Sequence, residues 1–163
     1  MDRHFGQQPQ SVRVALARRA GESPAPPEVD DDTAAYILET RRPFEDLRQV
    51  ASQLAGLLVL AAAGSKSAGP HHPMLESARQ LYQEAADRLN QSRPTARASR
   101  HHGYLCEAAE ELRTALVAAH TSTQVDPVLI PLKAAYAHLQ FASHQLPGFE
   151  MVAFDQGCCG GNS

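Results

Sequence analysis

The fold is decided by the stretch YLCEAAEELRTALVAAH, which occupies residues 104–120. Its apolar residues recur at intervals of three and four positions, the spacing of one face of an α-helix. Leucine and alanine dominate that face, so neighbouring helices can approach closely. We expect a helix from about residue 95 to residue 120 whose buried face consists of Leu105, Ala108, Ala109, Leu112, Ala115, Leu116 and Ala119.

Helical spacing also occurs in the segments that precede this stretch. Residues 33–40 predict a short helical piece with Asp32 as its N-cap. Pro43 suits the first turn of a longer helix, which we expect to end at Gly64. Another helix is expected to begin near Pro73.

The last predicted helix begins at Asp126 and Pro127, which have the composition of an N-cap and a first helical residue. Pro131 weakens its first turn, so we expect the helix to begin a few residues late. Pro147 followed by Gly148 stops it. The predicted buried stripe consists of Leu129, Leu132, Ala135, Tyr136, Leu139 and Ala142.

Four amphipathic helices with short connections favour an all-α, antiparallel, up-down-up-down four-helix bundle, here over residues 33–148. Residues 1–32 include a proline-rich stretch and the acidic run 30–32, which predict a flexible or loosely docked segment. Residues 149–163 are expected to form an irregular tail that carries two adjacent cysteines.

Composition limits the classes of function. The chain has 15 basic and 18 acidic residues among 163, so it lacks the broad cationic surface of a nucleic-acid-binding protein. The apolar run at residues 57–63 is far shorter than the ~20 residues that span a bilayer, and we expect no membrane partner. Three unevenly spaced cysteines and no apolar run of signal-peptide length predict a cytoplasmic location.

Cysteine and histidine are the unusual chemistry of this chain. In an antiparallel bundle, the start of the third helix and the end of the fourth lie at the same end, and the C-terminal tail could fold over it. Thiolate and imidazole groups bind thiophilic metal ions such as zinc or copper(I). The predicted metal ligands are His101, His102, Cys106, His144, Cys158 and Cys159.

Other interpretations of the same residues remain open. The CxxC and HxxxH spacings typical of zinc sites are absent, and two adjacent cysteines ligate one tetrahedral ion with difficulty. Cys106 is equally consistent with a small buried residue, and the Cys-Cys tail with an inert or redox-active segment. His102 and Cys106 could also form a nucleophilic dyad, but no motif indicates an oxyanion hole or a substrate pocket.

No motif specifies a reaction, and an enzyme is the less favoured interpretation. We expect a non-enzymatic helical binding or regulatory protein that engages a protein partner or self-associates. The alternative is a thiol-based metal-binding or redox module. Both tails also carry apolar residues suited to contacts, namely Val12, Val14 and Leu16 at one end and Phe149, Met151 and Phe154 at the other.

Overall fold

The computed structural model describes residues 29–65, 69–122 and 124–151. Within these ranges the chain forms helices and no strand, which confirms the all-α prediction for this part of the protein. None of these helices is long and apolar enough to cross a membrane. The four helices are α1 (Asp31–Ala62), α2 (Pro73–Gln91), α3 (Ser99–Thr121) and α4 (Asp126–Ser143).

The first helix is continuous where the sequence predicted two. α1 passes through Pro43 without interruption, so the expected break between residues 40 and 43 is wrong. A proline inside a helix removes one backbone hydrogen bond and costs about 3 kcal/mol. Pro43, Phe44 and Leu47 are all buried, and the burial of this turn against the core offsets that loss.

The N-cap of α1 also differs from the prediction. Asp30, and not Asp32, caps the helix, because its Oδ1 accepts a hydrogen bond of 2.9 Å from the Thr33 backbone N–H. Its Oδ2 accepts a second one, also of 2.9 Å, from the Thr33 hydroxyl. The helix therefore begins before the predicted residue 33. Residues 1–28 lie outside the described part, and their expected flexibility stays a prediction.

The core consists largely of leucine and alanine, as the stretch at residues 104–120 predicted. Six of the seven positions predicted for the buried face of α3 are buried, and Ala119 is half-buried. α3 packs most extensively on α4, and α1 on α2, while α1 also contacts α3 and α4. These contacts form one continuous core through all four helices.

The start and the buried face of α4 depart from the prediction. The helix begins at Asp126 and continues through the buried Pro131 without the expected delay. Leu129 and Tyr136, both predicted to be buried, leave 37% and 54% of their surfaces exposed. They occupy the flank of α4 that borders α1, so the core covers only one side of each residue.

One end of the bundle is sealed by residues outside the helices. The Thr95 hydroxyl lies 2.9 Å from the Thr33 hydroxyl, which ties the α2–α3 connection to the first turn of α1. Phe149, which follows α4, is buried against Phe44 at a ring-centroid distance of 5.2 Å. The first residue of the predicted tail is therefore part of the core, and residues 152–163 lie outside the described ranges.

Candidate functional site

His101 occupies a buried polar site between α1 and α3. Its Nδ1 atom lies 3.0 Å from the Tyr36 hydroxyl, and the Phe149 ring lies over it at a centroid distance of 4.2 Å. Burial, together with the neighbouring His102, lowers the pKa of His101 to about 4. The imidazole is therefore neutral at pH 7. Its Nε2 atom has no hydrogen-bond partner within the described residues.

His102 and Cys106 form a second pair on the next face of α3. The Cys106 Sγ atom lies 3.5 Å from His102 Nε2, and the Ser92 Oγ atom lies 3.4 Å from His102 Nδ1. The Ser92 hydroxyl donates a hydrogen bond of 2.8 Å to the Leu89 carbonyl. The Ser92 oxygen must then accept a hydrogen bond from the Nδ1–H group of His102. The Nε2 atom of His102 is left to accept a hydrogen bond from the Cys106 thiol.

The electrostatics of this pair favour the neutral forms. Partial burial of the Cys106 sulfur raises the pKa of the thiol, and the Glu107 carboxylate raises it further, although the residue as a whole is exposed. Burial also lowers the pKa of His102. An activated cysteine nucleophile needs the opposite shifts, a lowered thiol pKa beside a protonated imidazole. The pair is therefore a hydrogen-bonded thiol and imidazole at neutral pH.

The structure describes four of the six predicted metal ligands. The structure pairs His102 with Cys106, places His101 in the core, and leaves His144 exposed as the C-cap residue of α4. In the part of the chain that the structure describes, no group of three or more His, Cys, Asp or Glu side chains could hold a metal ion. Cys158 and Cys159 lie outside that part, so the six-residue site stays a prediction.

A groove of about 540 Å³ runs between α1 and α4, and we call it the α1–α4 groove. Apart from Arg48, its α1 side consists of small residues, and apart from Lys133, its α4 side carries larger apolar ones. Met151, which follows α4, also borders it. The residues that matter most for its shape and charge are Arg48, Ser52, Ala55, Leu129, Lys133 and Tyr136.

The charges that line this groove are positive. The Arg48 guanidinium is paired with Glu45 at 2.7 Å and lies 5.9 Å from the centre of the Phe44 ring. Lys133 forms no ion pair with any residue in the described ranges. No Asp or Glu among the described residues lines the groove, so its free charge is the Lys133 ammonium group.

Other apolar residues of α1 and α4 are exposed outside the groove. Ile130 and Phe141 of α4 are 69% and 51% exposed, and Val59 of α1 lies one turn beyond Ala55. The Phe141 ring lies 5.5 Å from the ring of Tyr104 of α3.

Sequence reasoning missed the α1–α4 groove because it assigned Leu129 and Tyr136 to the core. A signal was present: after Asp126, Lys133 is the single Lys, Arg, Asp or Glu in α4, and apolar residues occur on more than one of its faces. A helix that is apolar over most of its circumference needs cover on more than one side. The Tyr36–His101 pair was also missed.

Comparisons with protein-family models, with curated proteins and with solved structures found no match to this chain. Function therefore has to be inferred from the α1–α4 groove and the His102–Cys106 pair.

Proposed function

We propose that this chain is a non-enzymatic helical binding protein whose partner places an amphipathic, acidic α-helix in the α1–α4 groove. The observation that supports this best is the exposure of Leu129 and Tyr136 around Lys133, a lysine with no ion pair among the described residues. Apolar anchors and one cation on a single surface select a helix with an apolar face and a carboxylate beside it.

We further propose that the four helices alternate in direction as an antiparallel, up-down-up-down bundle. Support comes from the contact of Thr33 with Thr95, which places the first turn of α1 beside the start of α3. At the other end, a cavity of about 380 Å³ is lined by Ala61 near the end of α1, Leu75 near the start of α2, Ala119 near the end of α3, and Val128 near the start of α4. In this arrangement α1 and α4 are neighbours, and the groove follows both.

The shape of the groove supports a helical occupant. Ala51, Ser52 and Ala55 are small, so the α1 wall leaves room for side chains that enter from outside. Leu129 and Tyr136 are seven residues apart, which puts them about two helical turns, or roughly 10 Å, from each other along α4. Helix-in-groove recognition uses anchor residues at this same interval on the bound helix.

The charge of the groove favours a different chain over a second copy of this one. In a symmetric dimer the same patch faces itself across the two-fold axis. A contact centred on α4 would then set two Lys133 ammonium groups against each other, with no acidic residue of the groove to separate them. A carboxylate on the partner removes this repulsion and pairs with Lys133.

The proposal can be tested with two fluorescein-labelled amphipathic peptides of about 18 residues, the length of a helix of roughly 27 Å. Their apolar faces are identical, and the residues flanking that face are all Glu in one peptide and all Lys in the other. We expect fluorescence anisotropy to show binding of the Glu peptide to the full chain and at least tenfold weaker binding of the Lys peptide. Lys133→Glu should reverse this preference, since it reverses the charge of the groove.

Arg100→Glu is the matched control, because Arg100 is an exposed arginine of α3 outside the groove and the net charge changes equally. If the two peptides bind alike, or if Arg100→Glu reverses the preference as Lys133→Glu does, the acidic-helix proposal is wrong. Sedimentation provides the other decisive result. A dimer that dissociates in Tyr136→Asp would assign the groove to a second copy of the chain.

A second candidate function is a thiol-based metal-binding or redox module, and the geometry of His102 and Cys106 favours it. Tetrahedral zinc has bonds of about 2.3 Å to sulfur and about 2.0–2.1 Å to nitrogen, which places the two ligand atoms roughly 3.5 Å apart. The Sγ–Nε2 separation of 3.5 Å matches that edge. Cys158 and Cys159 would supply the remaining ligands, and a cytoplasmic location, which we also propose, would keep the thiols reduced.

Elemental analysis of protein purified without a histidine tag tests this second candidate. We expect about one zinc or copper ion per chain, lost in both Cys106→Ser and Cys158→Ser, because thiolate ligands contribute most to such sites. His120→Asn is a control outside the predicted ligand set. A metal-free protein with three freely titrating thiols would contradict the metal site.

A further inference from the structure

A cavity of about 220 Å³ lies between α2 and α3, separate from the α1–α4 groove, and we call it the α2–α3 cleft. Its walls carry hydrogen-bond donors from both helices, and no Asp or Glu in the described part of the chain lines it. Leu116 and Val117 provide its apolar surface. The polar side chains are Arg79, Tyr82, Gln83, Arg113, His120 and Thr121.

The spacing of these residues places them on the two helix faces that border the cleft. Arg79, Tyr82 and Gln83 stand at intervals of three and four positions on α2, so they share one face of that helix. Arg113 and His120 are seven residues, or about two turns, apart on α3. Donors from two helices therefore converge on one small volume.

Among the residues that the structure describes, several arginines of the bundle pair with carboxylates, but Arg79 does not. Arg48 pairs with Glu45, and Arg88 lies within ion-pair distance of Asp46 and Glu84. Arg79 forms no ion pair or hydrogen bond with any residue that the structure describes, and its side chain is exposed. Its guanidinium group is free to bind an anion in the cleft.

A carboxylate holds Arg113 in place but occupies only some of the hydrogen-bond donors of its guanidinium group. Its Nε and Nη2 atoms donate to the two oxygens of Glu110 at 3.0 and 2.6 Å. This bidentate contact fixes the plane of the guanidinium group, and the donors on Nη1 remain for another acceptor. Tyr82 adds a hydroxyl donor, since a phenol is protonated at neutral pH, and burial raises its pKa further.

The cleft continues into a neighbouring cavity of about 200 Å³ that shares Arg79 and His120 with it. His71 lies there with its ring 6.3 Å from that of His120, and Glu76 is the acidic residue of this second cavity. Glu110 pairs with Arg113 from outside the lining of the cleft, so among the described residues the positive charge without a carboxylate partner in the cleft is that of Arg79.

We propose that the α2–α3 cleft binds a phosphate group, held between the guanidinium groups of Arg79 and Arg113, with the Tyr82 hydroxyl as a third donor. Planar guanidinium groups donate paired hydrogen bonds that match phosphate oxygens. The small volume fits a single phosphate on a small molecule, whereas the α1–α4 groove fits a helix. This site is independent of the proposed protein-binding function.

Isothermal titration calorimetry of the full chain tests the proposal with inorganic phosphate, glycerol 2-phosphate and acetate. We expect saturable binding of at least one phosphate probe with a dissociation constant of about 1 mM or less, and no saturable binding of acetate. Comparison of the two phosphate probes identifies the source. Equal affinities indicate free phosphate, and a preference for the ester indicates a phosphorylated small molecule.

Arg79→Ala and Arg113→Ala should each weaken phosphate binding by about tenfold or more, the effect of losing charged hydrogen bonds. Arg100→Ala removes the same charge outside the cleft and should leave the affinity unchanged within about twofold. Tyr82→Phe provides a milder variant that retains the ring and removes one donor. Non-saturable heats, or equal losses in Arg79→Ala and Arg100→Ala, would show that phosphate meets only the general charge of the surface, and would overturn the proposal.

Discussion

The Tyr36 hydroxyl and the Nδ1 atom of His101 lie 3.0 Å apart, and both side chains are buried in the interior of the bundle. This contact joins the first turns of α1 to the first turn of α3. A hydrogen bond between buried groups adds modestly to stability when both partners are present, but the loss of one partner costs the full desolvation of the other.

Tyr36→Phe should therefore destabilise the protein more than the removal of one oxygen suggests. We expect the free energy of unfolding to fall by about 1–3 kcal/mol, because Nδ1 of His101 loses its partner while it remains buried. Urea denaturation measures the change. Tyr104→Phe is the matched control, since the Tyr104 side chain is half-buried, and its effect should stay within about 0.5 kcal/mol. Equal effects of the two substitutions would contradict the role of the buried hydrogen bond.

His101 should make the stability of the protein depend on pH between neutrality and pH 4. Its pKa is about 4 in the folded protein, against about 6.5 in an unfolded chain, so the folded state binds fewer protons in that interval. Stability is then complete above about pH 6.5, falls as the pH decreases toward 4, and changes little below. The total loss is about 3 kcal/mol.

Urea denaturation at a series of pH values checks this dependence. His102, whose pKa burial also lowers, contributes in the same direction, so the decisive comparison is between the native chain and His101→Phe. We expect the slope between pH 6.5 and 4.5 to decrease markedly in the variant. An unchanged slope would show that other groups cause the pH dependence.

Phe149 should behave as a core residue although it follows the last helix. Its ring contacts those of His101 and Phe44 at centroid distances of 4.2 and 5.2 Å. Phe149→Ala should lower the free energy of unfolding by about 3–5 kcal/mol, since it leaves a cavity between α1 and α3. Phe141→Ala is the control, because about half of the Phe141 surface is exposed, and we expect a loss of about 1 kcal/mol or less. Thermal denaturation of both variants distinguishes these outcomes.

The N-cap of α1 can be identified by comparing two aspartates. Asp30→Ala should lower the thermal midpoint, because it removes the acceptor of the Thr33 N–H and hydroxyl groups. Asp32→Ala removes an equal charge from the first turn without breaking a cap hydrogen bond, so its effect should be smaller. The same two bonds to Thr33 lower the pKa of Asp30, and the difference between the variants should disappear at a pH where Asp30 is protonated. A larger effect of Asp32→Ala would contradict this assignment.

The sequence predicted the parts of the fold that depend on the spacing of residues within one helix. The prediction of the buried face of α3 was correct because leucine and alanine recur there at helical intervals without a proline. The continuity of α1 was not predicted, since the local effect of Pro43 is a break and the burial of Phe44 and Leu47 depends on the other helices. Periodicity also gives the direction of a buried face but not its width, which is why Leu129 and Tyr136 of α4 were assigned to the core.

The same distinction applies to the candidate sites. His102 and Cys106 are four residues apart in one helix, so their contact follows from spacing alone. Tyr36 and His101 are 65 positions apart, and their contact depends on how α1 packs on α3. The α1–α4 groove and the α2–α3 cleft likewise arise from pairs of helices, which single-helix patterns do not specify.

The packing of Phe149 beside the first turns of α1 has a consequence for the architecture of larger proteins. Gly148 lies close to the side chain of Ile37, near the start of α1, so the chain enters and leaves the bundle at the same end. Domains with adjacent entry and exit points tolerate insertion into a host loop and circular permutation. We therefore expect that a short peptide between residues 29 and 151 can join the two ends of the described bundle, with new termini opened at the opposite end, between α1 and α2.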